Sequence, residues 1–494
     1  MLINLYTSRV VLETLGIEDF GIYNVIGGVI AMFGFLNSAM SSSTQRYITF
    51  ELGKKDLNQL TKVFNISILI HLCISIILLI LAETIGLWFL YNKLTIPIER
   101  MNAALWVYQG TIASTIVLIM SVPYNATIIA HEKMSAFAYI SVIEAILKLI
   151  IVYLLFIGNF DKLKLFAILM FCVQLSIRLI YSNYCKRHFP ETKFKIYKDW
   201  TLFKNMLSFA GWNLWGNCAT IASTQGINIL LNIFFSPAVN AARGIAVQVQ
   251  NAVNQFSLNF QTALNPQITK SFATENYSYM HTLIFRSSKF TFFLLLFLSL
   301  PIQIETETIL TLWLKNVPEH TVNFLRIILC VTIMDATANP LMTSAAATGR
   351  VKLYQSIVGG ILLTILPISY LTLKLGGNPE SVFIIHLLVC IIAFITRLYI
   401  IKSLIDLNLN LYFKEVILRC VIVLVISIIP PLLIKFIIAN NSIIIFFIIC
   451  ICCMISVSLS AYLCGTNEKE KQFIIQKIKY TANKITQKHN ENQI

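Results

Sequence analysis

Long apolar stretches alternate with short polar breaks along almost the whole chain. Apolar runs cover 21–43, 62–90, 103–130, 134–157, 163–185, 203–235, 239–264, 284–313, 321–347, 353–374, 380–403, 413–438 and 442–464. Each is long enough for an α-helix to cross a hydrocarbon core about 30 Å thick. In lipid only helices and closed barrels satisfy the backbone, and these runs are too continuously apolar for barrel strands. The pattern therefore predicts an all-α polytopic membrane protein with thirteen complete spans. Residues 1–12 form an apolar stub too short to cross, read as the end of a truncated first helix, from a late start codon or a fragment.

Composition sharpens the class. The chain has 494 residues, 57% hydrophobic and 12% charged, with a mean hydropathy of +0.75; soluble domains carry about 25% charged residues. The formal net charge of +15 reflects basic loops. One alternate set carries Lys54, Lys55 and Lys62, then Lys133, then Lys186, Arg187, Lys193, Lys195 and Lys198, then Lys270, then Arg350 and Lys352. The opposite set is poorer, with Lys93 and Arg100, Lys162 and Lys164, Lys315 and Lys374. The first set is thus cytoplasmic, as is the C-terminus. This distribution explains the charge without a nucleic-acid partner. The 11 cysteines lie mostly inside apolar runs, with no zinc or disulfide spacing.

The basic stretch Cys185–Trp200 is the longest polar break between spans, and the halves it separates look like a repeat. Ser121–Lys133 and Thr337–Arg350, aligned on Pro123 and Pro340, both place a basic residue ten positions later, Lys133 and Arg350. An even number of spans lies between them, so the repeat is parallel, with its pseudo-two-fold axis along the membrane normal. The expected organisation is an N-terminal lobe (1–188), a cytoplasmic linker (189–200), a C-terminal lobe (201–405), two further helices (406–464) and a basic amphipathic tail (465–494). Apolar residues Phe473, Ile474, Ile478 and Ile485 interleave with lysines in that tail, which suits an anionic cytoplasmic leaflet.

The most specific motif is RVVLETLGIEDFGIYNV, residues 9–25, with Arg9, Leu12, Leu15, Gly16, Asp19, Phe20, Gly21 and Tyr23. It resembles the signature of bacterial polysaccharide flippases, a branch of the multidrug/oligosaccharidyl-lipid/polysaccharide exporter superfamily. The resemblance implies fourteen helices: two six-helix lobes facing across a cavity, plus two C-terminal helices. It also implies a function. Polyprenyl-pyrophosphate-linked oligosaccharide repeat units of O-antigen or capsule are passed from the cytoplasmic to the outer leaflet by alternating access. An ion gradient, proton or Na⁺, is the expected driving force. The implied location is the bacterial inner membrane, alongside polysaccharide-assembly proteins.

Charged and polar residues inside the spans are the candidates for chemistry, because burying them in lipid is costly. Arg9, Arg46 and Arg243 are the expected pyrophosphate ligands, since a guanidinium stays charged and binds phosphate oxygens bidentately. The alternative is that they snorkel to headgroups. Polar stripes at helical spacing run along 203–235 (Asn213, Asn217, Thr220, Thr224, Asn228) and 239–264 (Arg243, Gln250, Asn254, Ser257, Gln261). Asn213, Asn217, Thr224, Asn228, Gln250, Asn254 and Gln261 suit sugar hydroxyls, or equally hydrogen bonds between helices. Trp212 and Trp215 are read as packing or interface residues. Asp335 lies mid-span, one turn before Asn339 and Pro340, and is the candidate for ion coupling. Glu144 and Lys148 are spaced to pair on one face. His71 and His386 are read as packed or hydrogen-bonded imidazoles. No metal site and no cofactor is expected.

No phosphate-binding GxxxxGK[ST] loop, HExxH or nucleophile elbow is present, which argues against an enzyme. Multidrug export remains an alternative, though it would favour an acidic pocket. A membrane polysaccharide polymerase or ligase is a second, against which the short outer loops count.

Overall fold

A computed structural model describes residues 34–92, 96–155, 161–195, 197–235, 237–314, 316–438, 442–472 and 475–476, with 10–11, 14–16, 18–23 and 26–27. These residues are almost entirely helical and include no strand. Ten helical segments are long and apolar enough to cross a membrane: Leu57–Asn92, Ile98–Ala130, Met134–Ile151, Lys162–His188, Tyr277–Ile304, Thr321–Thr348, Val351–Lys374, Glu380–Ile405, Leu409–Ile437 and Ile443–Gly465. Each matches a run in the hydropathy pattern, so the all-α polytopic class holds. The runs 203–235 and 239–264 are the helices Trp200–Phe234 and Pro237–Ala273, 35 and 37 residues long. Arg9 and most of the amphipathic tail lie outside the described residues.

Two boundaries differ from the sequence expectation. The run 284–313 is broken at Glu305 into Tyr277–Ile304 and Thr306–Leu314. The Glu305 carboxylate is buried there against Lys435, 2.9 Å away, which a purely apolar span would not need. The helix Gly34–Lys54 continues well past residue 43, so Arg46 lies inside a helix rather than closing one.

The chain packs as two compact units. The first comprises Met1–Cys218 with Pro266–Asn276 and Ala346–Ser356. Lipid is as apolar as leucine, so helices in a membrane associate through close fit and hydrogen bonds. Both are visible here. The helices Met101–Ala130 and Lys162–His188 meet where Gly110 faces Ala167, and a Cβ on Gly110 would sit 3.3 Å from that residue. Tyr108 donates 2.6 Å to the Ala82 carbonyl at the π-turn Ala82–Gly86. The Asn65 side chain holds the polar linker, donating to the Lys193 carbonyl at 3.2 Å and accepting from the Lys195 N–H at 2.8 Å. Asp19 of the N-terminal motif pairs with Arg100, which also donates 3.0 Å to Asp161. The motif's acidic turn is thereby tied to two loops on the side opposite the basic set. The expected Glu144–Lys148 pair forms at 2.6 Å.

The first unit also contains a clasp between polar helix ends. The Glu132 carboxylate accepts from Lys270 Nζ at 2.7 Å and Gln267 Nε2 at 3.2 Å. Close by, a Cβ on Gly53 would sit 2.9 Å from Ala273 Cβ, so only glycine permits this approach. Burial raises the Glu132 pKa, but the bonds from Lys270 and Gln267 outweigh it and leave the carboxyl below its ordinary 4.5. A depressed folded pKa gives stability that is full above the unfolded value and lost as pH falls through the folded one. Thermal unfolding of the solubilised protein should therefore show Glu132→Gln about 0.5–1 kcal/mol less stable at pH 7. The difference should be full above pH 4.5 and be lost as pH falls through the lowered folded pKa. A constant difference across that window would exclude the carboxylate as its source.

The second unit comprises Ala219–Asn265, Tyr277–Ala345 and Ile357–Ile494. Its last two spans, Leu409–Ile437 and Ile443–Gly465, pack against Tyr277–Ile304. Besides Glu305–Lys435, whose lysine is half-exposed, a buried ion pair joins them: Lys289 Nζ lies 2.8 Å from Glu470 Oε2, with both side chains almost fully enclosed.

Candidate functional site

The strongest concentration of intramembrane chemistry lies in the second unit, on three helices: Pro237–Ala273, Thr321–Thr348 and Glu380–Ile405. Its geometry starts from a proline. Pro340 has no N–H, so the Ala336 carbonyl four residues earlier loses its helical donor. Gln261 supplies the replacement: its Nε2 donates to Ala336 O at 2.8 Å, and the residue is 2% exposed. The amide expected to contact sugar is instead plugged into the proline break and holds two helices together. Asp335 precedes that carbonyl, and its side chain is 47% exposed.

Three residues of Glu380–Ile405 face Asp335. His386, Cys390 and Arg397 share one helical face, by the 3.6-residue period. Arg397 Nη1 lies 3.5 Å from Asp335 Oδ1, and Cys390 Sγ lies 3.9 Å from Asp335 Oδ2. The ligand atoms of Asp335, His386 and Cys390 all lie within 4.8 Å of one another. These three are the residues here with the chemistry to hold a metal ion, where none was expected from sequence. His386 is thus part of a polar cluster rather than an isolated packed imidazole. The cue was available in the His-x-x-x-Cys spacing of one predicted span, but nothing in sequence brings Asp335 to it. His71 does fit its expectation, fully buried and bonded through Nδ1 to the Ser67 carbonyl at 2.7 Å.

Arg243 lies in the same unit, on the helix Pro237–Ala273. It donates 2.7 Å to the Thr224 carbonyl, which links the two polar stripes. Its Nε is buried without a hydrogen bond, as is that of Arg46, and no carboxylate pairs with it among the described residues. Asn228, Gln250 and Asn254 on the same stripes are half-buried.

The other candidates sit in the first unit. Arg46 donates 2.9 Å to the Ala347 carbonyl, where the helix Thr321–Thr348 ends at Gly349 with φ +77°. Tyr47, Phe50 and Phe209 surround the guanidinium, their ring centroids 4.6, 4.6 and 5.8 Å away. Its surroundings are an aromatic box and a helix C-cap rather than headgroups. Asn213 is buried and accepts 2.9 Å from Gln355 Nε2, a bond between helices. Asn217 is half-buried on the same stripe. Trp212 lies beneath Lys352 Nζ at 5.3 Å, whereas Trp215 is half exposed. All 11 cysteines are free thiols.

No family model and no curated protein matches the chain. Solved structures do. A point mutant of a MATE protein superposes with a TM-score of 0.70 at 14% identity, covering 82% of this chain and 92% of that one. A multidrug resistance MATE family transporter of the MOP superfamily, in an outward-facing conformation, gives 0.67 at 15% identity with the same coverage. A MOP superfamily transporter from Pyrococcus furiosus, described as having a binding pocket of reversed polarity, gives 0.67 at 14% identity, again over 82% and 92%. Identities this low establish architecture alone, and the chain has the two-lobe helical fold of MATE transporters.

Proposed function

We propose that this protein is a flippase for polyprenyl-pyrophosphate-linked oligosaccharides, working by alternating access in the bacterial cytoplasmic membrane, with its C-terminus cytoplasmic. The observation that carries the reading is Arg243, a half-buried guanidinium on a polar stripe with no carboxylate paired to it among the described residues. An intramembrane cation without a counter-charge is poised for an anionic ligand, and a pyrophosphate accepts the fork of a guanidinium. Arg9, the first residue of the flippase-like motif, supplies a second cation in this reading. Arg46 supplies a third once its bond to Ala347 opens. Thr224, Asn228, Gln250, Asn254 and Asn217 offer donors and acceptors to sugars. Gln261 and Asn213 hold the helices that carry them. Asp335 couples the cycle to a cation gradient, and Arg397 is the internal counter-charge that it exchanges for that cation. The lipid tail stays in the bilayer.

Export of cationic drugs is the second reading. The multidrug resistance neighbour favours it, as does the exposed carboxylate of Asp335. One experiment separates the two. The gene is deleted in its host, and lipid-linked oligosaccharide is assayed for sidedness with a membrane-impermeant glycan-modifying reagent. The flippase reading expects complete units to build up on the inner leaflet while surface glycan falls. Normal arrival of units at the outer leaflet, with heightened sensitivity to cationic drugs, would favour drug export.

A further inference from the structure

We propose that Asp335, His386 and Cys390 form a binding site for a borderline transition-metal dication, of which Zn²⁺ is the type. The three side chains supply one carboxylate oxygen, one imidazole nitrogen and one thiol sulfur, the ligand types zinc uses. They form the only group of three such residues, among those described, whose ligand atoms converge within 4.8 Å. Ligand atoms around tetrahedral zinc stand about 3.3–3.8 Å apart, given bonds of about 2.0–2.3 Å. Small side-chain rotations of Asp335 and His386 close the difference.

The surroundings match a metal site in three ways. First, His386 and Cys390 are four residues apart on one helical turn, so a single rigid helix presents both. Second, the carboxylate is already oriented. Arg397 holds Asp335 Oδ1 at 3.5 Å, which leaves Oδ2 directed at Cys390 Sγ, 3.9 Å away. An outer partner that fixes a ligating carboxylate is the usual companion of a metal site. Third, the ligand set matches the ion's charge, with Arg397 left as the outer partner of the carboxylate. A dication with one thiolate, one carboxylate and a neutral imidazole is formally neutral, which lowers the cost of holding it inside a membrane. Binding forms a metal–sulfur bond and releases the Cys390 thiol proton to solvent. The half-exposed side chain of Asp335 gives the ion a route in and leaves a fourth position for water.

The site joins Thr321–Thr348, near its proline break, to Glu380–Ile405. Occupancy therefore ties together two helices of the second unit and engages the carboxylate beside Arg397. The metal-binding test needs no transport assay, so its failure leaves the flippase reading standing, and the reverse is also true.

The purified protein is dialysed against micromolar Zn²⁺ for metal counting, and against Co²⁺ as a spectroscopic probe. About one tightly held ion per chain is expected, with a sulfur-to-cobalt charge-transfer band in the near ultraviolet. Cys390→Ser should remove the band, and both Cys390→Ser and His386→Gln should weaken affinity at least tenfold. Cys452→Ser, on the last span, should change neither. Thermal midpoints close to that of the parent establish that the variants fold. Should either fail to fold, Asp335→Asn is read in its place and must weaken binding likewise. Sub-stoichiometric metal in the parent overturns the proposal. So does a band that survives Cys390→Ser and disappears with Cys452→Ser.

Discussion

Glu470→Ala should destabilise this protein by about 3–5 kcal/mol, the cost of stripping one partner from a buried ion pair. Glu470 does three things at once. Its Oε2 lies 2.8 Å from Lys289 Nζ and also accepts from the Asn467 N–H at 3.0 Å. Its own N–H donates 2.9 Å to Asn467 Oδ1, completing a reciprocal capping box at the start of the segment after the last span. Its Oε1 lies 3.4 Å from Arg286 Nε. The Lys289 side chain is 2% exposed and that of Glu470 4%, so the pair is largely desolvated. Alanine would leave an ammonium enclosed among helices with no counter-charge. A second variant separates charge from packing: Lys289→Met combined with Glu470→Leu replaces the pair with apolar groups of similar size. It should recover all but about 1–2 kcal/mol, since well-packed apolar replacements of buried pairs are often neutral. Unfolding in detergent, followed by near-ultraviolet circular dichroism, measures both. A Glu470→Ala midpoint indistinguishable from the parent would falsify the claim that this pair holds the last spans to Tyr277–Ile304.

Arg243→Ala should reduce transport of the lipid-linked oligosaccharide by roughly 10–100-fold, because a charge-assisted hydrogen bond contributes about 1.5–3 kcal/mol and each 1.4 kcal/mol is tenfold. The structure gives this residue little other work. Among the described residues its bond is to the Thr224 carbonyl, and its Nε makes none. Stability should therefore change by no more than about 1 kcal/mol, the net value of one hydrogen bond. Arg243→Lys keeps the charge without the planar fork and should fall between parent and alanine. The readout is the initial rate at which fluorescent pyrophosphate-linked glycolipid becomes accessible on the far side of proteoliposomes, with pyrophosphate as competitor. Parent-level rates for Arg243→Ala, in protein that folds normally, would remove this side chain from substrate binding. A large drop in thermal midpoint would instead make its role structural.

What the sequence determined by itself was the class of structure. Lipid allows no unsatisfied backbone, so runs of about 20 apolar residues had one outcome. Ten of them appear as apolar spanning helices with little adjustment. Local spacing was legible for the same reason: Glu144 and Lys148 sit on one helical face whatever surrounds them, and they pair. The Pro340 break was also legible, because a missing N–H is a property of the residue.

Tertiary structure alone decided which polar side chains are occupied and which are free. Gln261 and Gln250 lie on one stripe and look equivalent in sequence, yet only the packing of Thr321–Thr348 brings an orphaned carbonyl to Gln261. Arg46 and Arg243 are both intramembrane arginines. One is enclosed by three rings and a helix end contributed by residues about 300 positions away, while the other is half-buried and donates to the Thr224 carbonyl on a neighbouring polar stripe. Asp335, His386, Cys390 and Arg397 lie about 50–60 residues apart across two helices, and no periodicity within either predicts their meeting. Spans follow from solvent and backbone, which every residue meets locally. Sites follow from which helix faces pack together, and that is fixed by close fit among distant residues.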